Sequence, residues 1–250
     1  MRRSAFVHDS HPRRFTSFTW NEADLRICSP RTDVIIGEVK RLRAVLEAYI
    51  ARHLEFKTSL VPIKLLRDAP DIAQRMAEAA ESCGVGPMAA VAGVVAEMAA
   101  RSAVASGAEE AIVENGGDIY LISPNAVSVG LFAGANPLSG RLAFHIESSE
   151  MPLSICSSSS RFGHSLSFGK CDLATVVAKS GALADAAATL TGNCVKRIED
   201  IEPTLARVSS IQGILGVLII KDDRVGFTGN LPRLVKCEDP GLDGKAFHPS

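Results

Sequence analysis

The sequence has almost no net charge: 27 Lys and Arg against 28 Asp and Glu leave −1 at neutral pH. That balance gives no long-range attraction to nucleic acid or to an anionic membrane, so neither is expected as a partner. There is no Cys-x-x-Cys and no Cys/His group at zinc-binding spacing. The cysteines, Cys28, Cys83, Cys156, Cys171, Cys194 and Cys237, are scattered, as free thiols of a reducing cytoplasm would be. No uninterrupted apolar run approaches the roughly eighteen residues of a membrane span. The basic opening M-R-R-S-A-F-V-H-D-S-H-P-R-R leads into no apolar stretch of the secretory kind. A cytoplasmic protein outside the membrane is therefore expected. What is present is ordinary, 46% apolar and 22% charged residues over 250 positions, enough for one large domain or two small ones.

Residues 1–14 read as a poorly ordered leader, residues 15–235 as one α+β domain and residues 236–250 as a loose tail rich in turn formers. Residues 15–27 alternate loosely and suit strands around an Asn21-Glu22 turn. Over residues 35–56, Ile35, Val39, Leu42, Leu46, Tyr49, Ile50 and Leu54 recur at helical spacing, with Thr32 or Asp33 as the cap. Lys40, Arg41, Arg43, Arg52 and Lys57 then ride on a solvated face. A second helix is predicted over residues 71–82. The turn Gly84-Val85-Gly86-Pro87 leads into residues 88–106, where Glu97 and Arg101 are the charged positions among small and apolar ones. Such a helix is buried on nearly every side or covers a homodimer interface, and its start suits an anion. Strands are predicted over residues 111–115, 119–122, 127–132, 142–147 and 173–178, with a hairpin over residues 214–228 turning at Asp222-Asp223.

Three stretches carry candidate chemistry. Residues 180–193, S-G-A-L-A-D-A-A-A-T-L-T-G-N, form an Ala-rich helix stopped by Gly192-Asn193. Asp185 and Thr189 stand one turn apart on its face. The pair is either bonded to local backbone or turned toward a ligand, for which Mg²⁺, with its taste for oxygen ligands and phosphates, is suited. Gly116-Gly117, between strand-like runs, marks a bulge or a place of close backbone approach. Residues 154–169 read as a loop whose serines, with Arg161 and His164, can hold phosphate, or which simply links two elements.

In their order these segments resemble the ApbE-like family, whose best-known members are FAD:protein FMN transferases. The resemblance rests on the small-residue helix containing Gly93, on V-E-N-G-G-D-I at residues 113–119, on the serine loop ending near His164, and on T-V-V-A-K-S-G-A-L-A-D-A-A-A-T at residues 175–189. It implies a T-fold-like α+β architecture in two lobes, with antiparallel sheets packed with helices around a central cleft. By the same resemblance FAD occupies that cleft and Asp185 and Thr189 hold Mg²⁺. Gly93, Asn115, Gly116, Gly117, Asp118, Ser157, Ser158, Ser159, Ser160 and Arg161 line the ligand, and His164 is the candidate for proton transfer. The implied activity is transfer of FMN from FAD to a Ser or Thr of an acceptor protein, or hydrolysis of FAD. Two departures stand out: Ala92 precedes Gly93 where the family carries a Lys or an acidic residue, and H-S-L-S-F-G-K-C from His164 replaces the family's H-x-x-D-P-x-T-G. They mark a short, divergent branch and keep a second reading open, a flavin- or nucleotide-binding carrier or regulator without turnover.

Overall fold

A computed structural model describes residues 5–8 (as backbone), 13–21, 23–158 and 170–236. Its centre is an eight-stranded antiparallel sheet built from β2 (Thr16–Trp20), β3 (Ala23–Cys28), β4 (Ala111–Asn115), β5 (Asp118–Ile122), β8 (Leu153–Ser158), β9 (Leu173–Ala178), β10 (Ile214–Lys221) and β11 (Arg224–Gly229), in the order β11-β10-β9-β8-β5-β4-β3-β2. A four-stranded antiparallel sheet, β1-β6-β7-β12, comprises β1 (Ala5–His8), β6 (Val127–Leu131), β7 (Leu142–Ile146) and β12 (Arg233–Lys236). The helices are α1 (Thr32–Arg52), α2 (Glu55–Thr58), α3 (Asp71–Cys83), α4 (Val91–Ala105), α5 (Gly181–Cys194) and α6 (Ile201–Ser209).

The inner strands of the large sheet, β4, β5 and β9 above all, are buried on both faces, which explains why L-A-T-V-V-A reads as a nearly unbroken apolar run, whereas the edge strands β2 and β11 stay largely exposed. Side chains alternate across a strand. In β9, Ala174, Val176 and Ala178 join the core under the helices, whereas Leu173 and Val177 join the core shared with the small sheet. The molecule is thus helices, large sheet, small sheet, in that order.

The helical periods hold in the structure. Ile35, Val39, Leu42, Leu46 and Tyr49 are buried, but α1 ends at Arg52 and Leu54 is 71% exposed. The expected cap is not made. Arg31 is the residue before α1, and Thr32 Oγ1 donates to the Ser29 carbonyl at 2.9 Å instead. The charged face of α1 is solvated, with Arg41 on Glu38 at 2.7 Å and Arg52 on Asp68 at 2.6 Å. Helix α4, with the 3₁₀ turn Pro87–Ala90 before it, is long and apolar enough to cross a membrane by length and composition. It packs against α1, α5, β4 and β5 within the chain, while Val104 near its end is exposed.

Four expectations need correction. Gly116-Gly117 is not a bulge but the two-residue turn of the β4–β5 hairpin, with φ of 66° and 109° and Asn115 paired to Asp118. Residues 154–158 are not loop: they belong to β8, since Ser154 Oγ donates to the Ile119 carbonyl at 3.1 Å and Ser157 Oγ meets Thr175 Oγ1 at 2.9 Å. Ala5–His8, placed in the leader, is a strand paired with β6, and Arg233–Lys236, placed beside the tail, pairs with β7. The helix from the Ala-rich stretch runs past Gly192 to Cys194. Helix α6 had no sequence-based expectation. Five cysteines, Cys28, Cys83, Cys156, Cys171 and Cys194, are free thiols, and Cys237 lies outside the described residues.

Candidate functional site

Helices α4 and α5 cross where two glycines meet. A Cβ added to Gly93 would lie 2.2 Å from the Gly181 carbonyl oxygen, and one added to Gly181 would lie 2.3 Å from that of Gly93. The backbones therefore touch, and each helix start is capped by a carboxylate of the other. The Gly93 amide donates to Asp185 Oδ2 at 2.9 Å, and the Gly181 amide donates to Glu97 Oε2 at 2.7 Å. Capping by a carboxylate satisfies an orphan amide and complements the positive end of the helix dipole. The two halves have matching sequence, Gly93-x-x-x-Glu97 and Gly181-x-x-x-Asp185. The spacing of one turn is what lets each carboxylate reach the partner's first turn.

Around Asp185 the sheet supplies the rest. Asn115, 8% exposed, donates from Nδ2 to the Ala92 carbonyl at 3.2 Å and so ties the β4–β5 hairpin to the start of α4. Asp118, 9% exposed, accepts the Ser157 amide on Oδ1 at 3.2 Å. Cys156, fully buried, directs its thiol to the Gly181 carbonyl oxygen at 3.8 Å and meets Ser154 Oγ at 3.4 Å. Thr189 follows Asp185 by one turn and is half-buried.

The two pseudo-equivalent carboxylates differ in their counter-charge. Glu97 Oε1 is paired with Arg101 Nε at 2.8 Å. Among the described residues Asp185 has no such neighbour, and neither it nor Asp118 is ion-paired. Burial pushes Asp118 up to about 7, with Glu114 adding to the rise while the Cys156 thiol and the Ser157 amide oppose it. Burial and then the charge of Asp118 raise Asp185 well above the carboxylate range, against the Gly93 and Ala92 amides. The same burial, with both carboxylates, raises the Cys156 thiol. The charge of Asp118 raises the affinity of Asp185 for a positive charge, and with an alcohol one turn away these form a donor set of hard oxygens. Such a set fits a divalent cation that completes its shell with water or phosphate. Among the described residues no three His, Cys, Asp or Glu side chains converge as an all-protein cage would require.

The structure sorts the residues singled out by sequence. Asn115, Asp118, Asp185 and Gly93 come together, with Thr189 on the same helix face. Gly93 lets the backbone of α5 come up against α4. Gly116 and Gly117 serve the turn, and no atom lies within 4 Å of a Cβ built on Gly116. Ser157 presents its amide to Asp118 while its hydroxyl is engaged by Thr175 on the sheet's other face. Ser158 is half-buried at the end of β8. Ser159, Ser160, Arg161 and His164 lie outside the described residues. Glu97, Gly181 and Cys156 had no assigned role, although Glu97 in an otherwise apolar helix and the repeated Gly-x-x-x-acid spacing were visible signals.

A family model described as "AbpE bacteria" matches residues 6–220. The chain belongs to that ApbE-like family. Its relatives include the UPF0280 protein of Methanopyrus kandleri, 42% identical over 219 residues that cover 85% of this chain and 88% of the relative. The UPF0280 protein of Methanocella arvoryzae is 39% identical over 208 residues, 83% of this chain and 84% of the relative. Among solved structures, the flavin transferase ApbE from Vibrio cholerae superposes with a TM-score of 0.56 at 14% identity, covering 88% of this chain and 97% of the other. The apo flavinyl transferase ApbE from Pseudomonas stutzeri gives 0.55 at 12% identity, covering 88% and 96%. At such identities the likeness establishes the ApbE fold, a mixed architecture of helices and antiparallel sheets as expected from the motifs.

Proposed function

We propose that this ApbE-like chain binds FAD together with Mg²⁺ beside Asp185 and Thr189, and that it transfers FMN to a Ser or Thr of an acceptor protein or hydrolyses FAD. The observation that carries this reading is that Asp185 and Asp118, both held back from ionising by burial, have no ion-pair partner among the described residues, whereas Glu97 in the equivalent position is paired with Arg101. Names of structural relatives, flavin transferases from Vibrio cholerae and Pseudomonas stutzeri, support the choice of a flavin. Asp185 Oδ2 holds the Gly93 amide, and Asp185 with the Thr189 hydroxyl would supply the chain's oxygens to the cation. Bound Mg²⁺ would neutralise charge on the diphosphate. The chain's own part is to position: Asn115 and the amide-bonded Asp118 fix the hairpin and strand end beside the cation ligands. In the transfer, the acceptor hydroxyl forms an O–P bond to the FMN-side phosphorus, the bond to the AMP oxygen breaks, and the hydroxyl proton leaves to base or water.

A second reading, a flavin-binding carrier or regulator, is favoured by one observation. Ala92, where the family carries a Lys or an acidic side chain, contributes only backbone to the site. Thermal unfolding with FAD decides whether the ligand binds, and AMP release decides between the readings. At a hundredfold excess over Kd, FAD with Mg²⁺ should stabilise by about 2.7 kcal/mol, about 5–10 °C in Tm. FAD without Mg²⁺, or FAD with Mg²⁺ on Asp185→Ala, should give little shift. An equal shift with and without Mg²⁺ would refute the cation assignment, and no shift at all the flavin one.

A further inference from the structure

We infer that Glu97 is a positioning residue for the cation site, which it never touches. This rests on the reading of Asp185 as a cation ligand. Glu97 is 4% exposed and both its oxygens are engaged, Oε1 by Arg101 and Oε2 by the Gly181 amide. It acts through α5. Gly181 is the first residue of that helix, and Asp185 follows it by one turn. Asp185 in turn holds the Gly93 amide, and Glu97 follows Gly93 by one turn. The two hydrogen bonds and two helical turns close a ring: Gly93, Glu97, Gly181, Asp185 and back to Gly93.

The ring has no slack, because the glycine backbones already touch and an added Cβ would meet Asp185 Cβ at 2.8 Å on one side and Glu97 Cβ at 3.0 Å on the other. α5 can neither slide along α4 nor rotate on it without breaking one of the carboxylate–amide bonds. With Oδ2 pinned to Gly93, Oδ1 is aimed in one direction only. Cutting the ring at Glu97 frees the start of α5 while leaving Asp185, Thr189 and Asp118 chemically intact. Cation affinity should then fall although no ligand has been altered, as it does when groups that orient metal ligands are removed.

The test uses the full chain as wild type, Glu97→Ala, Glu97→Asp and Glu97→Gln, with Mg²⁺ alone as the probe. Glu97→Asp, shorter by one methylene, keeps the charge but falls short of Gly181, and stands in where the alanine variant does not fold. Two quantities are read: the exchange rate of the Gly93 amide against those of Ala99 and Ala100 in the same helix, and the Mg²⁺ concentration at half-maximal thermal stabilisation. In the Ala and Asp variants Gly93 should exchange at least about tenfold faster with Ala99 and Ala100 unchanged, and the Mg²⁺ midpoint should rise about 10- to 100-fold. Glu97→Gln, whose carboxamide oxygen still accepts from Gly181, should restore both. A merely structural role would speed exchange throughout α4 and leave the midpoint in place. If wild type ignores Mg²⁺, the cation reading itself falls and the inference with it. If wild type responds, but the variants respond at the same concentration or Gly93 exchange is unchanged, only the role of Glu97 is overturned.

Discussion

Gly181→Ala is expected to cost about 3 kcal/mol or more of stability, roughly 10 °C in Tm, or to leave no soluble protein. The new Cβ would stand 2.3 Å from the Gly93 oxygen and 2.9 Å from its carbon, both backbone atoms that no rotamer change can remove. Relief requires α4 and α5 to part, and parting them breaks the two amide–carboxylate bonds that cap both helices. Gly93→Ala meets the same obstacle from the other side, at 2.2 Å. The control is Gly37→Ala on the exposed face of α1, where nothing lies within 4 Å. There the same change should stabilise by about 0.5–1 kcal/mol, since alanine is the better helix former. Urea unfolding of the three variants checks the contrast, and a Gly181→Ala protein as stable as wild type would show that the backbones do not touch.

Raising the pH from about 4 to above 7 should destabilise the cation-free protein. Burial lifts Asp118 from 3.8 to about 7, and Asp185 is shifted in the same direction by burial and by Asp118. The folded chain therefore keeps protons that the unfolded chain releases above about pH 4. The stability they confer is fully present below the unfolded value and is lost as pH rises through the folded one. For Asp118 this amounts to about 4 kcal/mol at most, at 1.4 kcal/mol per pH unit. Asp118→Asn keeps an oxygen to accept the Ser157 amide but carries no charge, and should flatten the slope. Urea midpoints at pH 4.5 and 7.5 in chelator test this, and a steep slope retained in Asp118→Asn would move the effect elsewhere. Thr189→Arg extends the same logic, since an arginine there would stand to Asp185 as Arg101 stands to Glu97. It should stabilise the cation-free protein at pH 7.5 and abolish its response to Mg²⁺ in a thermal shift.

How far each element could be read from sequence followed from how local its cause is. Helix α1 declared itself because five residues at helical spacing meet one core, and β9 because both its faces are buried. Strands β1 and β12 are short and owe their existence to β6 and β7, residues more than a hundred positions away in the first case and nearly that in the second. Strand β8 was masked by its serines, whose hydroxyls find partners only across the sheet. In the site, Asp185 and Thr189 were legible as a pair on one turn. The contact of Gly93 with α5 was not legible, because its partner Asp185 stands 92 residues further along the chain.

The sequence by itself determined the α+β class, the helices whose apolar period is intact, the family order of motifs and the acidic residue on the Ala-rich helix. These depend on contacts within a few residues or on a pattern repeated every turn. The tertiary structure alone decided that Asp185 caps α4, that the charge of Asp118 acts on it, and that Glu97 is paired with Arg101 while Asp185 has no ion-pair partner among the described residues. Those facts depend on which distant amides and charges the crossing of two helices brings together, and spacing along one chain segment cannot encode the charge of a neighbour that arrives from another.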